Sequence, residues 1–133
     1  MKTKRELIDS WIVKAEKDLI SAKHELSFSD AVTETVCFHC QQAVEKYLKA
    51  YLVFLGISFT KTHEIGELIT KCESTDSEIS VLKEKADKLT DYAVEVRYPE
   101  DEFEPTLEEA KESFDIAKKI KEFVLNKITV TKD

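Results

Sequence analysis

Three stretches of this sequence hold residues able to do chemistry. Arg97, Tyr98 and Pro99 stand together where an apolar periodic segment ends. Arginine offers a planar fork for phosphate, and tyrosine a ring on which a base can stack. The same residues would equally finish a helix, with the arginine offsetting the dipole and the tyrosine lying on the surface. His63, at the start of another helical segment, reads either as a base or phosphate ligand or as a hydrogen-bonded residue at a helix end. The third stretch lies on one long helix. Wound at about 100° per residue, it puts His39, Gln42, Lys46 and Lys49 on one narrow polar strip. Phe38, Leu48 and Leu52 flank Gln41 and Glu45. The strip reads first as the solvated face of a mostly buried helix; its functional alternative is a nucleotide-binding role for Gln42, Lys46 and Lys49. Gln41 and Glu45, if buried at the apolar edge, each need a hydrogen-bonding partner. Their two readings are a structural buried pair and a group that orients an arginine.

Other chemistries find less support. Cys37, His39 and Cys40 invite a metal reading that Cys72 or His63 would have to complete. The second close pair that makes zinc sites specific is missing, and the run lies among Val36, Ala43 and Val44. The three cysteines are therefore expected to pack in the core, and neither a metal nor another cofactor is expected. No nucleophile elbow, phosphate-binding glycine loop or dinucleotide fingerprint occurs, which sets those enzyme classes aside.

These residues must be positioned by a small set of elements. With 133 residues and 42% hydrophobic content, the chain suffices for one core and is too short for two. It is read as a single domain over 1–133, with its core at about 4–128 and a frayed tail at 129–133. Two glycines and two prolines leave little turn chemistry for a sheet, so an all-α fold is expected. No apolar run approaches the ~20 residues of a membrane span. The charged start, with Glu6 and Asp9 following it, is unlike a signal peptide, and a cytoplasmic protein with free thiols is expected. The net charge of -7 argues against non-specific duplex DNA binding, which basic patches drive.

Five helices follow from the periodicity. Thr3 and Glu6 form a capping box for the first, whose stripe is Leu7, Trp11, Ala15, Leu19, Ala22 and Leu26. The second runs from about Asp30 to Leu55, is apolar around most of its circumference, and stops at Gly56. Thr62 is expected to cap the third, which buries Ile65, Leu68, Ile69 and Cys72. Thr75 and Glu78 are expected to box the fourth, with Ile79, Leu82, Ala86, Leu89, Ala93 and Val96 as its stripe. The acidic, proline-bounded stretch from Glu100 to Pro105 is a loop. Thr106 and Glu109 open the fifth helix, with Leu107, Ala110, Phe114, Ala117, Ile120, Val124 and Ile128 facing the core.

The run from Phe38 to Leu52, with its Gln-Gln-Ala-Val-Glu-Lys-Tyr-Leu-Lys-Ala centre, then Lys61 to Ile65, then Arg97-Tyr98-Pro99, resembles the three signature stretches of HEPN domains in order and spacing. The resemblance implies a five-helix up-and-down bundle that pairs as a homodimer, with Arg97 and Tyr98 at the cleft between the copies. It also implies several functions. Family members include metal-independent ribonucleases, toxins restrained by a small nucleotidyltransferase partner, and non-catalytic nucleotide-binding versions. The ribonucleases carry a histidine a few residues after the arginine; here that window holds Asp101, Glu102 and Phe103, and no histidine follows Arg97. The leading expectation is thus a dimeric module that binds a nucleotide or a nucleotidyltransferase, in a toxin-antitoxin-like system, through Arg97 and Tyr98. The alternative is a metal-independent RNA endonuclease in which His63 assists Arg97. A third reading is an assembly domain without a ligand.

Overall fold

The computed structural model describes residues 1–92 and 104–130. Five α-helices, α1 (Lys4–Leu26), α2 (Thr33–Leu55), α3 (Ile65–Glu73), α4 (Lys83–Tyr92) and α5 (Leu107–Val130), make the bundle, and a short 3₁₀-helix at Ser77–Leu82 leads into α4. Among the described residues there is no strand. The expected positions Ala93, Val96, Arg97, Tyr98 and Pro99, and the acidic loop as far as Phe103, lie outside the described residues.

The helix α2 is the centre of the molecule, packed by α1, α3, α4 and α5. Its apolar circumference explains this: Val36, Val44, Tyr47, Leu48 and Leu52 are all fully buried. It begins at Thr33 rather than near Asp30, because Val32 is the extended residue ahead of it and its amide is held by Glu25 Oε2 at 2.9 Å. It ends as the glycine requires. Gly56 adopts φ 75°, and the amides of Gly56 and Ile57 donate back to the carbonyls of Val53 and Leu52.

The outer helices bury the stripes their periodicity predicts, with local rotations. The Thr3–Glu6 box closes α1, each side chain accepting from the other's amide at 3.1 and 3.0 Å. The buried line of that helix is Ile8, Ala15, Leu19 and Ala22, so Ile8 takes the core position expected of Leu7, which is 40% exposed. On α5, where Thr106 and Glu109 do form a capping box, Leu107 is exposed, and Ser113 and Ile116 join the core instead. That helix continues through Thr129, which is therefore helical rather than part of a frayed tail.

Two expected caps are replaced by neighbours. Thr62 does not cap α3; its hydroxyl accepts from the Glu64 amide at 3.2 Å and shapes the turn before the helix, whose flanking residue is Glu64. Thr75 does not cap the next element either, since its amide is still bonded to the Cys72 carbonyl at the end of α3. Asp76 is the first extended residue, and its carboxylate accepts from the Glu78 amide at 3.0 Å.

Asp76 also accepts from the Tyr51 hydroxyl at 2.5 Å and lies 3.4 Å from Lys127 Nζ, so it joins α2, the 3₁₀ turn and α5. Burial alone would push its carboxyl up, but the bonds from Tyr51, the Glu78 amide and Lys127 hold it below the usual carboxylate range. All three cysteines are buried and none is in a disulfide. Burial pushes the Cys72 thiol up to about 12, with Asp76 adding to the effect, and burial raises Cys40 further, helped by Cys37. Such thiols are inert packing groups at neutral pH.

Two stability predictions follow from these contacts. A Cβ at position 56 meets nothing within 4 Å, so Gly56→Ala is opposed only by the left-handed backbone. It should lower stability by about 1 kcal/mol, read from urea midpoints. Asp76→Ala should cost about 1 kcal/mol or more at pH 7 through the lost cap. Because the folded carboxyl is depressed, its stabilisation is complete above the unfolded-state pKa and lost as pH falls through the folded value. The gap between wild type and Asp76→Ala in thermal midpoints should therefore narrow from pH 7 towards pH 3; a gap that stays constant would contradict this.

Candidate functional site

Gln41, Glu45 and Lys49 are spaced one turn apart and form a buried polar ridge on α2. Lys49 Nζ donates to Glu45 Oε2 at 2.9 Å and lies 5.2 Å from the centre of the Trp11 ring on α1. The ammonium is thus held between a carboxylate and an aromatic face, both of which replace part of its lost hydration. Trp11 is in turn tilted against Phe59, with ring centres 6.4 Å apart. On its other side, Glu45 meets His63, whose Nδ1 is 3.1 and 3.2 Å from the two carboxylate oxygens. The Glu45 side chain is 3% exposed, whereas that of His63 is 72% exposed.

This line of contacts runs from an aromatic ring, through a buried ion pair, to a solvent-facing imidazole. A carboxylate only accepts, so Nδ1 of His63 carries the hydrogen and Nε2 is the ring nitrogen left available. An imidazole fixed in this way can bind an anion when protonated, or take a proton through Nε2 when neutral. Gln41, one turn before Glu45, is also buried, and its Oε1 has no hydrogen-bonding partner among the described residues.

The polar strip of α2 does not face solvent as expected. Asp18 of α1 sits opposite it, accepting from His39 Nδ1 at 3.0 Å and from Lys46 Nζ at 2.5 Å. Lys49 is buried at the far end of the same strip, whereas His39, Gln42 and Lys46 are partly open to water. The two lysines named for a nucleotide phosphate therefore each hold a carboxylate in this structure, Asp18 for Lys46 and Glu45 for Lys49. Phe38, expected to flank the buried edge, is half-exposed and packs edge-on against the His39 ring. The structure brings Glu45 and His63 together across the loop between α2 and α3; Arg97 and Tyr98 lie outside the described residues.

Part of this was open to sequence reasoning and part was not. The Glu45–Lys49 pair has the spacing of a helical ion pair, visible in the sequence. Trp11 and Asp18 carry no such signal, because they reach α2 only through the docking of α1. If the ridge is coupled as described, Glu45→Gln strands the Lys49 ammonium in the interior and should cost about 3 kcal/mol. Adding Lys49→Met should recover much of that loss. Additive losses in a double-mutant cycle, measured by urea denaturation, would show that the two groups are independent.

Comparison with known proteins follows the same outline. The HEPN domain family model matches residues 8–128, which include Trp11, the α2 ridge and His63. The crystal structure of an archaeal HEPN homologue is 27% identical, covers 96% of this chain and 99% of its own, and superposes with a TM-score of 0.70. The crystal structure of a protein from Thermus thermophilus is 29% identical, covers 90% of this chain and 97% of its own, and gives a TM-score of 0.76. No curated protein matches the sequence. With nearly its whole length inside the family match and two solved relatives sharing its helical arrangement, this chain belongs to the HEPN domain family.

Proposed function

We propose that this protein is a dimeric HEPN-type module that binds a nucleotide, and that His63 is one of the groups it presents to the ligand. The observation that carries this reading is the exposed imidazole held at Nδ1 by a buried carboxylate, which leaves Nε2 available to a ligand. Arg97 supplies the phosphate fork and Tyr98 the stacking ring, as the family resemblance implies. A small nucleotidyltransferase is the partner this reading assigns, in a toxin-antitoxin-like pair, with the nucleotide as the species the two proteins share.

A second reading, a metal-independent RNA endonuclease, gains from the same geometry. The sequence lacks a histidine after Arg97, and the Glu45–His63 pair offers an imidazole of the required kind. Nε2 would take the proton of the ribose 2′-hydroxyl as that oxygen attacks phosphorus, and the bond to the 5′-oxygen would break to leave a 2′,3′-cyclic phosphate. The departing 5′-oxygen would take up a proton from water, and Arg97 would stabilise the charge that develops on the phosphate.

Calorimetric titration with nucleoside triphosphates separates these readings when it is run beside RNA incubation in chelator. Binding should be saturable, vanish in Arg97→Ala and weaken roughly tenfold in His63→Ala, as expected for loss of one charge-assisted hydrogen bond. Circular dichroism should be unchanged in His63→Ala, since that side chain is exposed. Unaltered affinity in Arg97→Ala would overturn the binding reading. Cleavage that persists in chelator and is lost in both variants would establish the endonuclease.

A further inference from the structure

The groove between α1 and α5 differs in kind from the site around His63. Leu19 and Ile20 of α1 and Phe114 of α5 form its apolar wall, in a cleft of about 240 Å³. Ile20 is 51% exposed. Lys23, Lys118 and Lys121 line the same cleft, against a single carboxylate among the described residues, Glu16.

That carboxylate is already taken. Glu16 accepts from the buried Tyr47 hydroxyl and from Lys121 Nζ, the latter at 3.1 Å. Lys118 lies 5.8 Å from the centre of the Phe114 ring, and among the described residues neither it nor Lys23 has an acidic partner. The groove therefore carries a surplus of positive charge on a chain whose net charge is -7. The groove between α4 and α5 offers the contrast. Its described lining balances four lysines with four carboxylates, with Lys88 and Glu112 paired at 3.7 Å.

We propose that the α1–α5 groove is a docking site for an acidic segment of a partner protein that carries a large apolar side chain between its carboxylates. The lining selects this chemistry. Apart from the occupied Glu16, its described lining offers only aliphatic, aromatic and ammonium groups, with no arginine fork, amide or hydroxyl among the described residues to read a base edge or grip a phosphate in two places. Ammonium groups flanking an apolar wall recognise negative charge and bulk, and an acidic peptide supplies both. Covering the exposed Ile20 side chain adds to the binding energy. This surface is independent of the reading of His63, since it shares no residue with that site.

The test is fluorescence polarisation with the intact protein and a labelled peptide that alternates glutamate pairs with phenylalanine. Binding should be saturable and weaken as salt is raised. The double variant Lys23→Glu, Lys118→Glu should weaken it by about tenfold or more, with the circular dichroism unchanged because both lysines are exposed. Ile20→Ser should weaken it as well, and a peptide with glutamine in place of glutamate should not bind. Failure of the glutamate peptide to bind, or binding that survives the charge reversal, overturns the proposal. So does tighter, lysine-dependent binding of a single-stranded RNA oligonucleotide at this groove, which would assign it to nucleic acid instead.

Discussion

A helix buried on nearly every side cannot leave its polar groups unmatched, and α2 is such a helix. Its apolar residues would be content among any apolar neighbours. Glu45, Lys49, Lys46, His39, Tyr47 and Tyr51 would not, because each loses water on folding and needs a partner in a defined place. The partners come from different elements. Trp11, Glu16 and Asp18 come from α1, Asp76 from the turn before α4, and His63 from the loop ahead of α3. The hydrophobic effect collects the helices around α2, and these polar matches select the rotation and height at which each one docks.

The same constraint shapes the candidate site. Most of the matches close inside the bundle and are spent on architecture, as when Asp18 satisfies both His39 and Lys46. Glu45 differs because one of its two partners is outside. Its buried carboxylate is shared between Lys49 in the interior and His63 at the surface, so the interior fixes the pose of a side chain that water and ligands can reach. A buried partner can position an exposed functional group without the loop that carries it having to be rigid itself.

Charge is distributed to match this division. The chain is acidic overall, yet its lysines are not spread evenly among its carboxylates. Where α4 meets α5 the two signs are balanced, while Glu16 and Asp18 of α1 turn toward α2, to Tyr47, His39 and Lys46. With Glu16 and Asp18 half-buried and engaged there, Lys23 of the same helix is left without an acidic partner among the described residues. The surface character of the α1–α5 groove is thus a by-product of the polar matching that α2 demands.

Local rules carried the sequence reading a long way. The helices, the Thr3–Glu6 and Thr106–Glu109 boxes, the stop at Gly56 and the buried stripes of α3 and α5 depend on contacts within a few residues, so spacing alone reveals them. The errors arose where two local solutions compete closely. Asp76 displaced Thr75 as a cap because α3 extends one turn into the linker, and Ile8 displaced Leu7 because the pitch of α1 against α2 is a property of the pair. The family signature in the α2 run was likewise legible, since it is a pattern in one stretch of chain. That the polar strip of α2 would meet Asp18, that Lys49 would be buried against Trp11, and that Glu45 would hold His63 were decided only by the tertiary structure. Each of those contacts joins residues far apart in sequence, and the helix docking that creates them is chosen by the summed burial of the whole core, which no local spacing records.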